Sequence, residues 1–439
     1  MTAAASARRR LAPGRPSRNQ AIIGGSWLIA LAVAGYLCYR GATGPMRDLE
    51  VYRDGARAMR QGRNLYSMVT STGLPYTYPP IGAVLATPLT LVPFSVAKFA
   101  WDGMVCVPLA VAIWFGFRPL LARAAQVAPA VFAGVLVCCI LLVSVREEFY
   151  FGQVDLFLVA ICLLDCGVRH PRWPRGLLIG LATAIKLEPG AFIIYLLITR
   201  RRKDAAVAAL SFAAWTGIAW LIDPHDSVTY WTSAIFQTSR LGGNGSAANQ
   251  SLRGIILRLF KPHLAPATIW LAVALVVAIA GFAAARSCWR RGNDMAGLAI
   301  TGLLSAALSP VAWIHHYCWL VVALGVIVGN GRSRRRVATA AVAWVLFLTA
   351  LPIWAQTMMR TGRLGILPGR VLEAAFGLAA LALIAIMYRI RPARDELRAW
   401  VLPSGWERDR HRELTPDAAR GPAESSDVEA PEELPSGSG

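Results

Sequence analysis

The sequence predicts an all-α polytopic membrane protein, a bundle of about ten transmembrane helices with added re-entrant or interfacial helices. Three observations carry that reading. Of 439 residues, 56% are hydrophobic and only 16% charged, against roughly 45–50% and about 25% in soluble domains. Uncharged runs of about 20 residues, enough to span a bilayer core, recur along the chain. Basic residues are confined to short clusters between those runs.

The net charge of +20 would point to nucleic acid on a soluble protein. Here the basic clusters follow the positive-inside pattern, so the charge is read as topology and no nucleic-acid partner is expected. Residues 1–19 hold Arg8, Arg9, Arg10, Arg15 and Arg18 without an acidic residue and form a basic cytoplasmic N-terminus. The run from Gln20 to Tyr39 is long enough to span and lacks a small-x-small cleavage site, which argues against a signal peptide. Further clusters lie at Arg118 and Arg123, Arg169–Arg175, Arg200–Lys203, Arg286–Arg291, Arg332–Arg336 and from Arg389 onward. Placing them all in the cytoplasm gives helices near 21–39, 98–117, 126–145, 153–168, 205–223, 266–285, 295–309, 317–330, 337–354 and 367–388. Residues 20–388 thus form one transmembrane domain, and 389–439 a cytoplasmic tail whose Pro, Ser, Gly and Glu content predicts disorder.

Two apolar stretches do not fit as crossings. Residues 81–94 are short and interrupted by Pro88 and Pro93, as in an interfacial or re-entrant pair. Residues 176–198 lie between two basic clusters and carry Lys186, Glu188 and Pro189 at their centre. A hairpin of half-helices keeps the charge pattern there. The longest polar connections, 40–97 and 224–265, then fall outside. The eight cysteines show no metal-ligand spacing; Cys162 and Cys166, four apart on one helix, read as small hydrophobes.

Ionisable residues at membrane depth are costly and mark function by default. They gather at the outer ends of the predicted spans. Asp48, just past the first helix, suits a general base on a hydroxyl, or a helix cap. Tyr76 and Tyr78 suit an interfacial anchor or the wall of a sugar site. Arg146 is a basic residue placed against the charge bias; it pairs with Glu147 or Glu148, or holds a phosphate in its planar fork. Lys186 and Glu188 neutralise one another, or Lys186 reaches a lipid phosphate. Asn244-Gly-Ser and Asn249-Gln-Ser match the glycosylation acceptor pattern, and the segment ending at Arg253 also suits a flexible lid. His315 and His316 break two apolar runs. Adjacent residues on a helix diverge by about 100° and are poor joint ligands for one metal, so hydrogen bonds to a phosphate or sugar are the functional reading and interfacial packing the structural one. Such a one-sided collection suits an enzyme acting on a lipid-borne substrate. A channel or transporter would carry polar residues through the bilayer, often in repeated halves.

Asp48-Leu-Glu-Val-Tyr52, Tyr78-Pro-Pro80, Gly152-Gln-Val-Asp155, Lys186-Leu-Glu-Pro189, Asn249-Gln-Ser-Leu-Arg253 and Ser309-Pro310…Trp313-Ile-His-His316 occur in this order. Over about residues 25–388 the set resembles glycosyltransferase family 87, GT-C-type membrane mannosyltransferases of actinobacteria. The resemblance implies a plasma-membrane enzyme with a periplasmic active site. Its partners would be a polyprenyl-phosphate-linked sugar donor, a glycolipid acceptor of the phosphatidylinositol mannoside, lipomannan or lipoarabinomannan type, and membrane lipids. It further implies inverting α-(1→2) mannosyl transfer with Asp48 as general base. His315, His316, Arg146, Lys186, Arg253, Gln153 and Asp155 would contact the donor phosphate or sugar. Tyr52, Tyr76, Tyr78, Asn249, Gln250 and Trp313 would line the acceptor. No cofactor and no metal are expected. Asp155 stands where the family uses Asn as readily, and Glu188 where an aromatic residue is commoner. The family also includes arabinofuranosyltransferases using decaprenyl-phosphate arabinose; a lipid or sugar transporter is the reading from another class.

Overall fold

Long apolar runs without Pro or Gly breaks become long helices, and the structure shows where such runs are interrupted. It is a computed structural model that describes residues 17–168, 170–259 and 267–400. Most of the expected basic N-terminus, and the expected tail beyond Trp400, lie outside the described residues. An isolated bridge between Val69 and Pro75 is the only β pairing among the described residues.

The chain opens with α1 (Arg18–Thr43), followed by α2 (Arg47–Arg60) and α3 (Pro80–Leu85) in the first long connection. Next come α4 (Phe94–Gly116), α5 (Arg118–Ala124), α6 (Ala128–Ile140), α7 (Val143–Phe151) and α8 (Asp155–Gly167). The half-helices α9 (Leu177–Ile185) and α10 (Ala191–Ile198) precede α11 (Arg202–Ile222), and α12 (Pro224–Thr232) and α13 (Leu252–Leu259) lie in the second long connection. The bundle is completed by α14 (Ala267–Arg290), α15 (Asp294–Leu308), α16 (Leu320–Val328), α17 (Arg334–Leu348), α18 (Leu351–Arg360), α19 (Ile366–Glu373), α20 (Ala375–Arg389) and α21 (Arg394–Ala399).

Among the described residues, five helical stretches are long and apolar enough to cross a bilayer, and eight if each bent pair is one span. The expectation of ten separate crossings differs for a physical reason. The segments expected at 295–309 and 317–330 are the 15-residue helices Asp294–Leu308 and Ile314–Val328. Fifteen residues rise only about 22 Å against a hydrocarbon core of about 30 Å. Almost every residue of α15 is buried, as a helix apolar on all sides must be, so it forms the centre of the bundle. Lipid contact falls to α1, α11 and α14, where Leu28, Leu221 and Leu275 are 71%, 84% and 62% exposed.

The expected hairpin at 176–198 is present. A Cβ on Gly176 would collide with Asp204, and one on Gly180 with Ala208 and Ser211. The start of α9 therefore lies beside the start of α11, and the two run in the same direction. Because α10 joins them, it runs back the other way. Asp165, in the last turn of α8, fixes the entry to this hairpin. Its Oδ2 accepts from the amides of Gly176 (3.0 Å) and Ile179 (2.9 Å).

Basic clusters collect at one end of the bundle, where they cap helix termini. Arg336 donates to Ile327 O at 2.8 Å and pairs with Glu396 at 2.9 Å. Arg123 donates to Asn330 O, and Arg286 to Ile198 O. Cationic side chains are favoured at such carbonyl-rich ends. The opposite end holds the sequence motifs. Helices α4 and α16 cross at Gly116 and Gly325, so closely that a Cβ on Gly325 would meet the Gly116 backbone; small residues permit such crossings in membranes. Replacing Gly325 by Leu is expected to overpack this crossing by about 1–3 kcal/mol. The check is the thermal unfolding midpoint in detergent, which should fall below that of Gly325→Ala.

Candidate functional site

Apart from Tyr52, inside α2, every group in the site sits at a helix end or a break. Helix α2 begins after Met46, a fully buried residue held left-handed at φ 41°. Non-glycine residues there cost of order 1–3 kcal/mol and persist only where their surroundings hold them. Asp48 follows in the first turn, where the helix terminus favours a negative charge. Arg53 fixes the height of α2 by donating from Nε to Leu89 O (2.9 Å) and from Nη2 to Val92 O (2.6 Å).

The turn between α7 and α8, bent by 114°, supplies the facing wall. Gly152 there has φ 71°, and a Cβ on it would lie 2.6 Å from Leu49 Cβ, so only glycine lets α2 approach. Tyr52 donates its hydroxyl to Gln153 Oε1 at 2.9 Å, and its oxygen lies 3.1 Å from the Tyr78 hydroxyl. With its oxygen occupied, Gln153 presents its amide N–H to Asp48. Burial raises the Asp48 pKa above the ordinary carboxylate value, while nearby His315, the Gln153 hydrogen bond and Lys186 pull it back. Burial also raises the pKa of Tyr78, as does Asp48, so this phenol stays protonated as a donor.

A charged cluster fills the far side. Lys186 lies in extended backbone at the end of α9. Its Nζ is 2.7 Å from Asp155 Oδ1, 3.8 Å from Glu188 Oε2 and 3.1 Å from His316 Nε2. An ammonium only donates, so His316 Nε2 faces it as acceptor, while His316 Nδ1 lies 2.8 Å from Glu188 Oε1. His315 Nδ1 lies 3.3 Å from Glu147 Oε2. Its Nε2 and Asp155 Oδ2 are buried without a hydrogen-bond partner among the described residues.

The expected divergence of the two histidines is not what the chain does. Residues Ile314–Trp319 form a 3₁₀ segment kinked at Tyr317, not an α-helix. The imidazole rings lie 4.8 Å apart, and ligand atoms of Asp155, His315 and His316 fall within 4.8 Å of one another. These donor types suit a divalent transition metal. Lys186, however, already donates to Asp155 and faces His316, so an ammonium competes for the same atoms.

The structure thus gathers Asp48, Tyr52, Tyr78, Gln153, Asp155, Lys186, His315 and His316 around one site. Other candidates lie apart from it. Arg146 donates to Leu348 O at 3.1 Å, capping the end of α17. Arg253 donates to Thr238 Oγ1 at 2.8 Å and lies over the Trp270 ring. Tyr76 is fully buried behind Tyr78, its hydroxyl donating to Pro79 O. Asn249 Oδ1 accepts from Ala312 N (3.0 Å), and the Gln250 amide N–H donates to Ala312 O (2.7 Å). Gln250 Nε2 also reaches Glu373 O. This pair fastens the second long connection to the segment before the histidines, and Trp313 packs beside Gly242 of the same connection. Glu147 and Glu188, which orient the two imidazoles, were read from the sequence only as charge partners. Their position beside apolar runs was the available signal. Glu148, fully buried, accepts from Leu156 N at 3.0 Å and caps α8.

The sequence profile of glycosyltransferase family 87 matches residues 76–310. Asp48, His315 and His316 lie outside that stretch. A Mycobacterium tuberculosis protein named polyprenol-phosphate-mannose-dependent alpha-(1-2)-phosphatidylinositol mannoside mannosyltransferase is 33% identical over 348 residues, covering 74% of this chain and 81% of its own. A second M. tuberculosis protein, named as the corresponding phosphatidylinositol pentamannoside mannosyltransferase, is 30% identical over 367 residues, covering 79% and 81%. A Mycolicibacterium smegmatis protein with the first of these names is 33% identical, covering 70% of this chain and 74% of its own. Among solved structures, ArnT from Cupriavidus metallidurans bound to undecaprenyl phosphate aligns with a TM-score of 0.37 and 15% identity, over 85% of this chain and 78% of that one.

Removing one partner of a buried ion pair strands the other, at about 3–5 kcal/mol. Lys186→Met is expected to destabilise the fold by that order, and the double variant Lys186→Met/Asp155→Asn by clearly less. Chemical denaturation of the three proteins in detergent gives the comparison.

Proposed function

We propose, for a chain that belongs to glycosyltransferase family 87, the transfer of mannose from polyprenyl-phosphate mannose to a mannosylated phosphatidylinositol-type glycolipid. The new bond is an α-(1→2) linkage formed with inversion. The observation that carries this reading is the placement of Asp48: a half-buried carboxylate opposite a buried ammonium and two imidazoles, with hydroxyl and amide groups between them. Mannosyltransferase names recur among the relatives over most of their length, which favours mannose over arabinofuranose. A transport role would require a polar path along the bundle, whereas the centre of α15 is apolar and buried.

In the proposed reaction the acceptor hydroxyl enters between Asp48 and the sugar. Its oxygen bonds to the anomeric carbon, the bond from that carbon to the phosphate oxygen breaks, and the hydroxyl proton passes to Asp48. A raised pKa makes Asp48 a stronger base than an ordinary carboxylate. The departing polyprenyl phosphate takes up the bonding electrons as negative charge. Lys186, beside His315 and His316, is the cationic group that meets that charge. Tyr52, Tyr78 and Gln153 orient the sugars by hydrogen bonds, and Tyr52 and Gln153 hold Asp48 in place. Basic clusters mark the opposite end of the bundle as cytoplasmic by the positive-inside rule, so the site opens on the periplasmic face of the plasma membrane.

The test is transfer of labelled mannose from polyprenyl-phosphate mannose in membranes carrying the protein. Asp48→Asn should lower turnover by about 10²–10⁴-fold while donor binding persists. The wild-type pH profile should lose activity as pH falls, with a midpoint above the ordinary Asp value of about 3.9, because the base must be ionised. Full turnover by Asp48→Asn, or label passing only from decaprenyl-phosphate arabinose, overturns the proposal.

A further inference from the structure

The outward side of α2 carries a second feature that the reaction centre does not use. A cavity of about 500 Å³ is lined by Asp54, Arg57, Gln61, Arg63, Met68 and Val69. That volume lies within the range of about 300–1,000 Å³ typical of ligand clefts. Its walls are fixed. Glu50 accepts hydrogen bonds from Ser71 and Thr72, clamping the turn after Val69 to α2. Thr70 N donates to Leu74 O at 2.9 Å, closing that turn. Arg53 ties the other side of the helix to Leu89 and Val92.

The lining is mostly polar and mixes acceptors with donors, as a hydroxyl-rich ligand requires. Asp54, Arg57, Gln61 and Arg63 end in planar groups with two or more polar atoms, a geometry suited to the paired hydroxyls of a sugar ring. Met68 and Val69, the latter 63% exposed, add only a small apolar margin to this polar lining. The Asp54 carboxylate, 3.4 Å from Arg57 Nη1, disfavours a bare anion. The two sites share helix α2 but lie on opposite faces of it, Asp54 and Arg57 being turned about 180–240° from Asp48. Asp48 stands in its first turn, and Gln61 follows its last residue about 20 Å farther along the axis. A single sugar at Asp48 does not span that distance; a chain of several does.

We infer that this cavity is a distal glycan subsite, holding mannose units of the acceptor remote from the attacked hydroxyl. The inference rests on the mannosyl-transfer reading for its substrate class, and it makes acceptor length a property read by α2.

The experiment compares wild type with Gln61→Ala and Arg63→Ala, using one acceptor with a single mannose and one linear oligomannoside long enough to reach the cavity. Both substitutions are at the protein surface, so folding should be retained. The expected result is a roughly tenfold rise in KM for the oligomannoside with kcat unchanged, and no change in either constant for the short acceptor. Unchanged KM for the oligomannoside, or equal rises for both acceptors, overturns the subsite. Binding of the free oligomannoside without donor, followed by saturation-transfer NMR, separates the two readings. Loss of that signal in the variants supports the subsite even if no mannose is transferred, and an unaltered signal refutes it.

Discussion

A positive charge buried in an apolar bundle is the constraint around which the rest is arranged. Lys186 is 9% exposed, and an unpaired ammonium at that depth would be costly. Three acceptors from three separate segments offset the cost: Asp155 opens α8, Glu188 follows the break after α9, and His316 lies in the kinked segment before α16. Each lies where a helix stops, because side chains and backbone can converge there without crossing an intact helical wall. The charge and the interruptions of the bundle thus belong together: each acceptor reaches Lys186 from a break in a helix.

The same breaks explain why α2 lies against the site. Gly152 opens the turn that admits Leu49, and Tyr52 takes the oxygen of Gln153, leaving the amide group for Asp48. Position and hydrogen-bond direction are consequences of packing at one corner. On the opposite side, Asn249 and Gln250 bind the second long connection to Ala312, so the segment leading into the histidines is held from the outside as well as from the core.

Much of this was legible in the sequence where the governing physics is local. Hydropathy located α1, α4, α11 and α14, and the charge pattern required the hairpin that α9 and α10 form. Asp48, Lys186 and the histidine pair stood out because ionisable residues are rare beside apolar runs. Less was legible where the partner is distant. Arg146 looked available for phosphate, but its acceptor is a carbonyl at Leu348, 202 positions away. The convergence of His315 and His316 depends on a 3₁₀ segment that helical periodicity does not describe. The interior location of α15 was hidden too, since a buried helix and a lipid-facing helix have similar composition.

One feature of the hairpin reaches beyond the site it serves. Asp165 fastens the amides of Gly176 and Ile179 at the basic end, and the nine residues of α9 then act as a ruler that sets the depth of the ammonium. One inserted or deleted residue in that stretch would turn the lysine by about 100° and shift it by about 1.5 Å, away from all its acceptors at once. Length between Gly176 and Lys186 is therefore under tighter restraint than the identity of the intervening aliphatic residues, and the position of the charged cluster is gauged from the opposite, basic end of the bundle.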